Sequence, residues 1–245
     1  MKRVMIVQAR AASTRLPGKV LTDLAGRPML IQQLLRLSEC RQVDEIVVAT
    51  TTDAQDEPVA LLARQAAVRV FRGSTEDVLS RFVGAAQEAR AEVVVRVTAD
   101  CPLIDPEVCD RVIIELVEHR SECDYASNVI RRSFPRGLDT EAMFIDVLLR
   151  MDRLARSTPA REHVTVVPRS ERPRLFMCRD VVDETNNSDL RWTVDTPDDL
   201  RMVRLLFEEL NLGKRRVPYH EILAYVRARP ELSAINADGF TWSPR

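Results

Sequence analysis

The chain has 245 residues, 45% of them apolar and 30% charged, with 36 basic against 37 acidic side chains. That balance fits a soluble globular enzyme and excludes fibrous, low-complexity and membrane-embedded classes, while a formal charge of -1 offers no global field to nucleic acid or a membrane surface, so any polyanion site has to be local. Five scattered cysteines without a CxxC pair argue against a disulfide framework or a zinc site and point to a reducing cytoplasm.

The start, MKRVMIVQAR, has only a short apolar run before charge returns, so neither a signal peptide nor a membrane span is expected. Residues 4–7 (VMIV), 45–50 (EIVVAT), 68–71 (VRVF) and 93–98 (VVVRVT) are rich in valine and isoleucine, as expected of strands buried on both faces. Helical patterns lie between them. PMLIQQLLRLSEC sets Leu30, Ile31, Leu34, Leu35 and Leu37 on one face behind Pro28, which suits a first helical turn. DEPVALLARQA, EDVLSRFVGAAQEAR and PEVCDRVIIELVEH repeat the arrangement. Strand alternating with helix predicts an α/β fold: a Rossmann-like mixed, mostly parallel sheet with helices on both faces. Beyond residue 120 the pattern loosens. Residues 124–145 read as extended, 146–167 as helix, RLFMCRDV and LRWTVDT as two more strands, and PDDLRMVRLLFEELN as a helix opened by Pro197 and Asp198 and closed by Gly213. From Pro230 on the chain is polar and expected to be loosely ordered. With no repeat or low-complexity linker, one domain over 1–245 is expected.

In open sheets of this kind ligands bind beyond the carboxyl ends of the strands. The loop at 8–19, Thr50 to Asp53, Arg72 to Asp77 and Asp100 should therefore converge. The first 22 residues carry Lys2, Arg3, Arg10, Arg15 and Lys19 and no acidic residue. Because the chain has 33 arginines but only three lysines, Lys19 is the more informative cation. The loop is not a Walker A motif, since Ser13 stands where that motif needs glycine and Val20 where it needs Ser or Thr. It reads either as a turn whose backbone N–H groups, Ser13, Thr14, Arg10, Arg15 and Lys19 surround phosphate oxygens, or as a solvated turn in an arginine-rich chain.

Asp100 ends a buried strand in RVTADCPLID, and helix capping there falls to Asp105 before Pro106. Asp195 in LRWTVDTPDDL is a second strand-end carboxylate, left free because Thr196 suits the cap of the next helix. Two such carboxylates facing a cationic loop suit Mg2+ held together with phosphate oxygens. Asp139 and Glu141 flank Thr140 on an extended segment and share a side. They either hold substrate hydroxyls or form the wet face of an edge strand. His163 reads as a histidine packed in a helix.

Together VQARAASTRLPGKVL, TADCPLID and RWTVDTPDDL resemble the nucleotidyltransferases that include 3-deoxy-manno-octulosonate (KDO) cytidylyltransferase, acylneuraminate cytidylyltransferase and spore coat polysaccharide biosynthesis protein F. RGSTEDVLSRF, FPRGLDTE and REHVT resemble the last group, which usually has glycine at the place of Ala12. The resemblance implies a fold of the nucleotide-diphospho-sugar transferase type. It implies transfer of a nucleoside monophosphate, usually CMP from CTP, to a sugar or sugar-acid hydroxyl with release of pyrophosphate, for surface polysaccharide or glycoconjugate. By position it puts Arg10, Arg15 and Lys19 on the triphosphate, Ala9 and Thr14 among the nucleotide-binding residues, Ser74, Arg81 and the Thr50 to Thr52 stretch, Thr51 included, near the nucleoside, and Asp100 and Asp195 on Mg2+. Asp139, Glu141 and His163 would face the acceptor, and Lys19, Arg15 and Asp100 would carry the catalysis. A cytoplasmic homodimer is also implied, with acceptor binding and pairing in residues 121–180.

Two rival readings use the same residues. A metal-dependent glycosyltransferase lacks its usual Asp-x-Asp pair, because Thr98 precedes Asp100. A nucleotide-binding module without turnover would leave paired carboxylates repelling phosphate.

Overall fold

The valine- and isoleucine-rich runs become the centre of one sheet in the computed structural model, which describes residues 1–237. In chain order the elements are β1 (Arg3–Gln8), the short strands β2 (Asp23–Leu24) and β3 (Arg27–Pro28), α1 (Met29–Leu37), β4 (Glu45–Thr51) and α2 (Glu57–Gln65). β5 (Arg69–Gly73), α3 (Val78–Glu88), β6 (Val93–Thr98) and α4 (Pro106–Glu118) follow. The second half adds β7 (Tyr125–Ser127), β8 (Glu141–Phe144), α5 (Ile145–Leu154), α6 (Thr158–Glu162), β9 (Cys178–Asp180), α7 (Pro197–Glu209), α8 (Tyr219–Arg227) and α9 (Pro230–Ala234). None of the described helices is long and apolar enough to cross a membrane.

Seven strands in the order β5-β4-β1-β6-β8-β7-β9 form a mixed, mostly parallel sheet. β5, β4, β1 and β6 are parallel, β8 runs antiparallel to both neighbours, and β9 is parallel to β7. Val4, Met5, Ile6 and Val7 are all fully buried, which is why β1 shows no alternation in sequence. Right-handed crossovers run one way from β1 through α1 to β4 and return through α3 to β6, which puts helices on both faces. The order reverses between β1 and β6, so the loops behind those two strands part and open a crevice.

Local chemistry explains the departures from expectation. α1 buries Leu30, Leu34 and Leu37, but Leu35 is 44% exposed; the buried face instead includes Gln33, whose amide donates to Thr98 O at 2.8 Å. The helix expected over 146–167 is two helices. Pro159 belongs in a first turn, and Ser157 caps it by accepting from Ala160 N at 3.0 Å, so Ala155 is left extended. LRWTVDT is not a strand. It makes one isolated bridge, Arg136 with Arg191, and otherwise bonds singly to loops, Trp192 N to Arg136 O at 2.6 Å and Val194 N to Asp100 O at 2.8 Å. α7 is closed by Asn211 (φ 55°) rather than Gly213, with Leu212 N donating back to Phe207 O at 3.0 Å. α9 replaces the looseness expected from Pro230, with Leu232 buried; residues 238–245 lie outside the described residues.

Gly137 frames the crevice. Its φ is +112°, and a Cβ there would lie 2.7 Å from both Thr193 N and Trp192 C. Gly137→Ala is expected to cost about 2 kcal/mol from backbone strain plus overpacking, read as a lower urea midpoint.

Candidate active site

The cationic loop takes its shape from three anchors. Asp56, 1% exposed, accepts from the Ala11 N–H at 2.6 Å and from the Thr51 hydroxyl. Ser13 Oγ accepts from the Leu16 N–H at 3.4 Å. Gly18 donates its N–H to Ala11 O at 3.0 Å and, at φ +69°, opens a short turn over Lys19–Leu21. That left-handed step, natural for glycine, precedes a lysine that is only 9% exposed.

The Lys19 ammonium donates to Asp100 Oδ2 at 3.1 Å, to Asp195 Oδ1 at 2.8 Å and to Val194 O at 2.8 Å, which uses all three of its protons. Burial alone would lower its pKa, but Asp100 and Asp195 outweigh burial and raise it. For Asp100 burial pushes upward, and Lys19 with the Thr98 hydroxyl outweighs it, holding the carboxyl below its ordinary value. Thr98 Oγ1 donates to Asp100 Oδ1 at 2.5 Å. Arg15 reaches Asp195 Oδ1 at 3.1 Å, and Arg191 reaches Asp195 Oδ2 at 2.9 Å. Each carboxylate therefore has one oxygen tied to its own support and one, Asp100 Oδ2 or Asp195 Oδ1, facing the shared ammonium. With the ammonium withdrawn toward a phosphate, the same two hard oxygens would suit Mg2+. The described residues offer no group of three or more His, Cys, Asp or Glu side chains for a metal, so phosphate oxygens and water would have to complete its shell.

Arg81 of α3 is 1% exposed. It donates to Ser74 O, yet its Nε and one terminal nitrogen have no partner among the described residues. Burial first, and the charge of nearby Arg10 second, push its pKa down to about 10. Buried N–H groups left unpaired in this way have capacity for a ligand or a water. Arg10 and Thr14 are exposed on the loop, and Ala9 is buried at its root, where its N–H bonds Ala49 O at 3.1 Å. The Thr51 hydroxyl is engaged by Asp56 and by the Asp53 N–H at 3.2 Å. Thr51 thus supports the loop, while the neighbouring Thr50 hydroxyl is buried without a partner among the described residues.

Asp139 and Glu141 differ in surroundings. Asp139, with its side chain 34% exposed, holds Arg132 through two bonds of 2.9 and 2.8 Å. Glu141 is 2% exposed on β8, which lies between β6 and β7 and is not an edge. It is no wet face, because Arg96 stands opposite it across the β6–β8 ladder and bonds it, together with Tyr125 and Thr165. Glu141 so braces the sheet beneath the crevice. His163 follows α6 and is partly buried. The sequence reading missed Asp56, which anchors the loop, and Arg191 with Asp199, which stand behind Asp195. For Asp199 a signal existed, since Thr196 and Asp199 have capping-box spacing and form that box.

The profile of the cytidylyltransferase family matches residues 4–183. This chain belongs to the cytidylyltransferase family. Spore coat polysaccharide biosynthesis protein SpsF of Bacillus subtilis is 30% identical over 236 residues, which is 93% of this chain and 95% of that protein. The 3-deoxy-manno-octulosonate cytidylyltransferase of Geobacter sulfurreducens is 40% identical over 116 residues, 46% of this chain and 45% of that enzyme. A cytidylyltransferase structure from Leptospira borgpetersenii serovar Hardjo-bovis has a TM-score of 0.90 at 28% identity, covering 95% of this chain and 97% of that one. Membership of the cytidylyltransferase family makes the chain a nucleotidyltransferase enzyme.

Proposed function

We propose that this family member transfers CMP from CTP to a hydroxyl of a sugar or sugar acid, using Mg2+ and releasing pyrophosphate. The observation that carries the reading is the meeting of Lys19 with Asp100 and Asp195 behind the cationic loop. Lys19, Arg15 and Arg191 balance the two carboxylates in the free chain; with Lys19 and Arg15 turned to a triphosphate, a divalent cation on Asp100 and Asp195 would restore that balance. When bound at Asp100 and Asp195, Mg2+ supplies Lewis acidity toward the α phosphate and orients the reactants. Lys19, Arg15 and Arg10 neutralise the charge that gathers on the leaving pyrophosphate. A bond forms from the acceptor oxygen to the α phosphorus as the bond to the bridging oxygen breaks. Asp100 is tied to Lys19 and Thr98 and is not free to take the acceptor proton, which passes to solvent.

Arg81, with Ser74, faces the nucleoside in this reading, and its unpaired N–H groups are the support. Arg81→Met is expected to weaken CTP binding about 10-fold, the scale of one charged hydrogen bond. Stability without nucleotide should not fall, because two unsatisfied buried donors leave with the guanidinium. Melting temperatures with and without CTP check both halves.

On the acceptor side Arg132, paired with Asp139, offers a cation to a carboxylate, which favours a sugar acid; Glu141 acts there through Arg96 rather than by touching the acceptor. His163 belongs to the same side in this reading. A cytoplasmic homodimer completes it. Segment 121–180 ends in the edge strand β9, beside which Leu175 and Met177 are about half exposed, an apolar surface suited to a second copy. All five cysteines are free, as suits a reducing compartment. The deciding experiment is a pyrophosphate-release screen of the four ribonucleoside triphosphates against sugar acids, sugar phosphates and phosphonates. Release with CTP, Mg2+ and a sugar acid is expected; no release from any pairing overturns the reading.

A further inference from the structure

Asp195 is held from behind by a buried chain of charges that ends at the far end of the described chain. Arg191, whose side chain is 10% exposed, gives one terminal nitrogen to Asp195 Oδ2 at 2.9 Å and to Asp199 Oδ2 at 3.0 Å, and its Nε to Asp199 Oδ1 at 2.8 Å. Asp199 is fully buried. It also accepts the Asp195 and Thr196 N–H groups, each at 2.9 Å. The last donor comes from Asn236, just past α9. Its Nδ2 lies 2.9 Å from Asp199 Oδ1 and 3.0 Å from Arg191 O, and the residue is 4% exposed.

Arg191 and Asn236 also line a recess of about 370 Å³, together with Trp192, Met202 and Val226. A side chain that lines an open recess has fewer packed neighbours to lock its rotamer. A bond that ties both the Asp199 carboxylate and the Arg191 carbonyl therefore removes freedom that packing leaves.

We propose that Asn236 is a positioning residue: through Asp199 and Arg191 it fixes the carboxylate of Asp195, so that Oδ1 faces the point shared with Asp100. The proposal rests on the assignment of Asp195 to the metal site above. Outer partners of a ligating carboxylate set its orientation, and losing one typically weakens metal binding by about 10- to 100-fold. Asn236 stands two bonds further out, behind Arg191 and Asp199, so an effect no larger than the low end of that range applies.

The test uses the full chain with Mn2+ as a spectroscopic stand-in for Mg2+, free Mn2+ being read by its paramagnetic resonance signal with a non-hydrolysable CTP analogue bound and no acceptor present. Asn236→Ala is expected to weaken Mn2+ binding about 10-fold and to raise the Mg2+ concentration for half-maximal pyrophosphate release by the same factor. The KM for CTP at saturating Mg2+ should be unchanged. Leu232→Ala is the companion, since it removes buried packing from α9 but no donor to Asp199; it should lower the urea midpoint and leave Mn2+ binding intact. Wild-type Mn2+ affinity in Asn236→Ala overturns the proposal, and so does an equal loss in Leu232→Ala, which would assign the effect to α9 packing. In either case a wild-type chain that binds Mn2+ and releases pyrophosphate leaves the assignment of Asp195 standing. A wild-type chain that does neither overturns that assignment and this proposal with it.

Discussion

Lys19→Met lowers kcat for pyrophosphate release by roughly 10² to 10³, the scale for losing one preorganised donor from the charge that develops in the transition state. Methionine keeps the volume of the stem, so the turn opened by Gly18 still packs and the loss falls on the charge. Turnover near that of the wild type would remove Lys19 from the chemistry. The same substitution changes how stability depends on pH. In the wild type the Asp100 pKa is depressed on folding, so its contribution is present above the ordinary carboxylate range and is lost as pH falls through the folded value. The Lys19 pKa is raised, so its contribution is full below about 10.4 and is lost as pH rises through the folded value. Between those limits the cluster is insensitive to pH. Without the ammonium, Asp100 and Asp195 face each other, and stability should fall as pH climbs through the carboxylate range. The loss at pH 8 is expected to be about 2 kcal/mol, below the scale for breaking a fully buried pair, because Arg15 and Arg191 still hold Asp195. Urea midpoints at pH 5 and pH 8 measure it, and equal midpoints in the variant contradict it.

The parts of this fold that show in the sequence are those where burial leaves one chemical choice. β1, β4 and β6 read as strands because valine and isoleucine fill both faces, and the crevice follows from where those strands end. LRWTVDT misleads for a related reason. Leu190, Trp192 and Val194 are buried on the alternation of a strand, but a ladder needs a neighbour of matching length, and here the neighbours are two loops. The charged residues misread at Glu141 turn on distance along the chain. A glutamate in an extended segment looks wet until the antiparallel pairing sets Arg96 against it. Lys19, Asp100 and Asp195 were legible as candidates one at a time, since Asp100 follows a strand, Lys19 a glycine turn, and Asp195 a buried alternation that reads as a strand. Their arrangement on a single ammonium was not, because it depends on the crossover that brings the start of α7 back to β6. Asn236 carried no signal at all: an asparagine in a polar tail has no pattern until its partner, a buried capping carboxylate, is seen.

Asp100→Asn and Asp195→Asn should each lower kcat/KM by roughly 10² or more and raise the Mg2+ requirement at least about tenfold, because in the proposed function each removes one hard anionic ligand from the same cation. Their effects on the fold should differ. At Asp100 the outer oxygen faces Thr98 Oγ1 and Cys101 Sγ, and a hydroxyl can rotate to accept as readily as donate. An asparagine there can turn its amide to Thr98 and keep its oxygen on Lys19. Asp195 has no such side, since Lys19 and Arg15 crowd Oδ1 while Arg191 takes Oδ2. The NH2 of an asparagine must then point at a cation, leaving donors face to face in a largely buried place. Asp195→Asn is therefore expected to lower stability by about 2 kcal/mol more than Asp100→Asn, the scale of an unsatisfied buried donor, read from paired urea titrations without metal. With both carboxylates on one cation, as proposed, the double variant should lose far less than the product of the two single losses in kcat/KM. Independent, multiplying losses would mean that Asp100 and Asp195 do not share a metal.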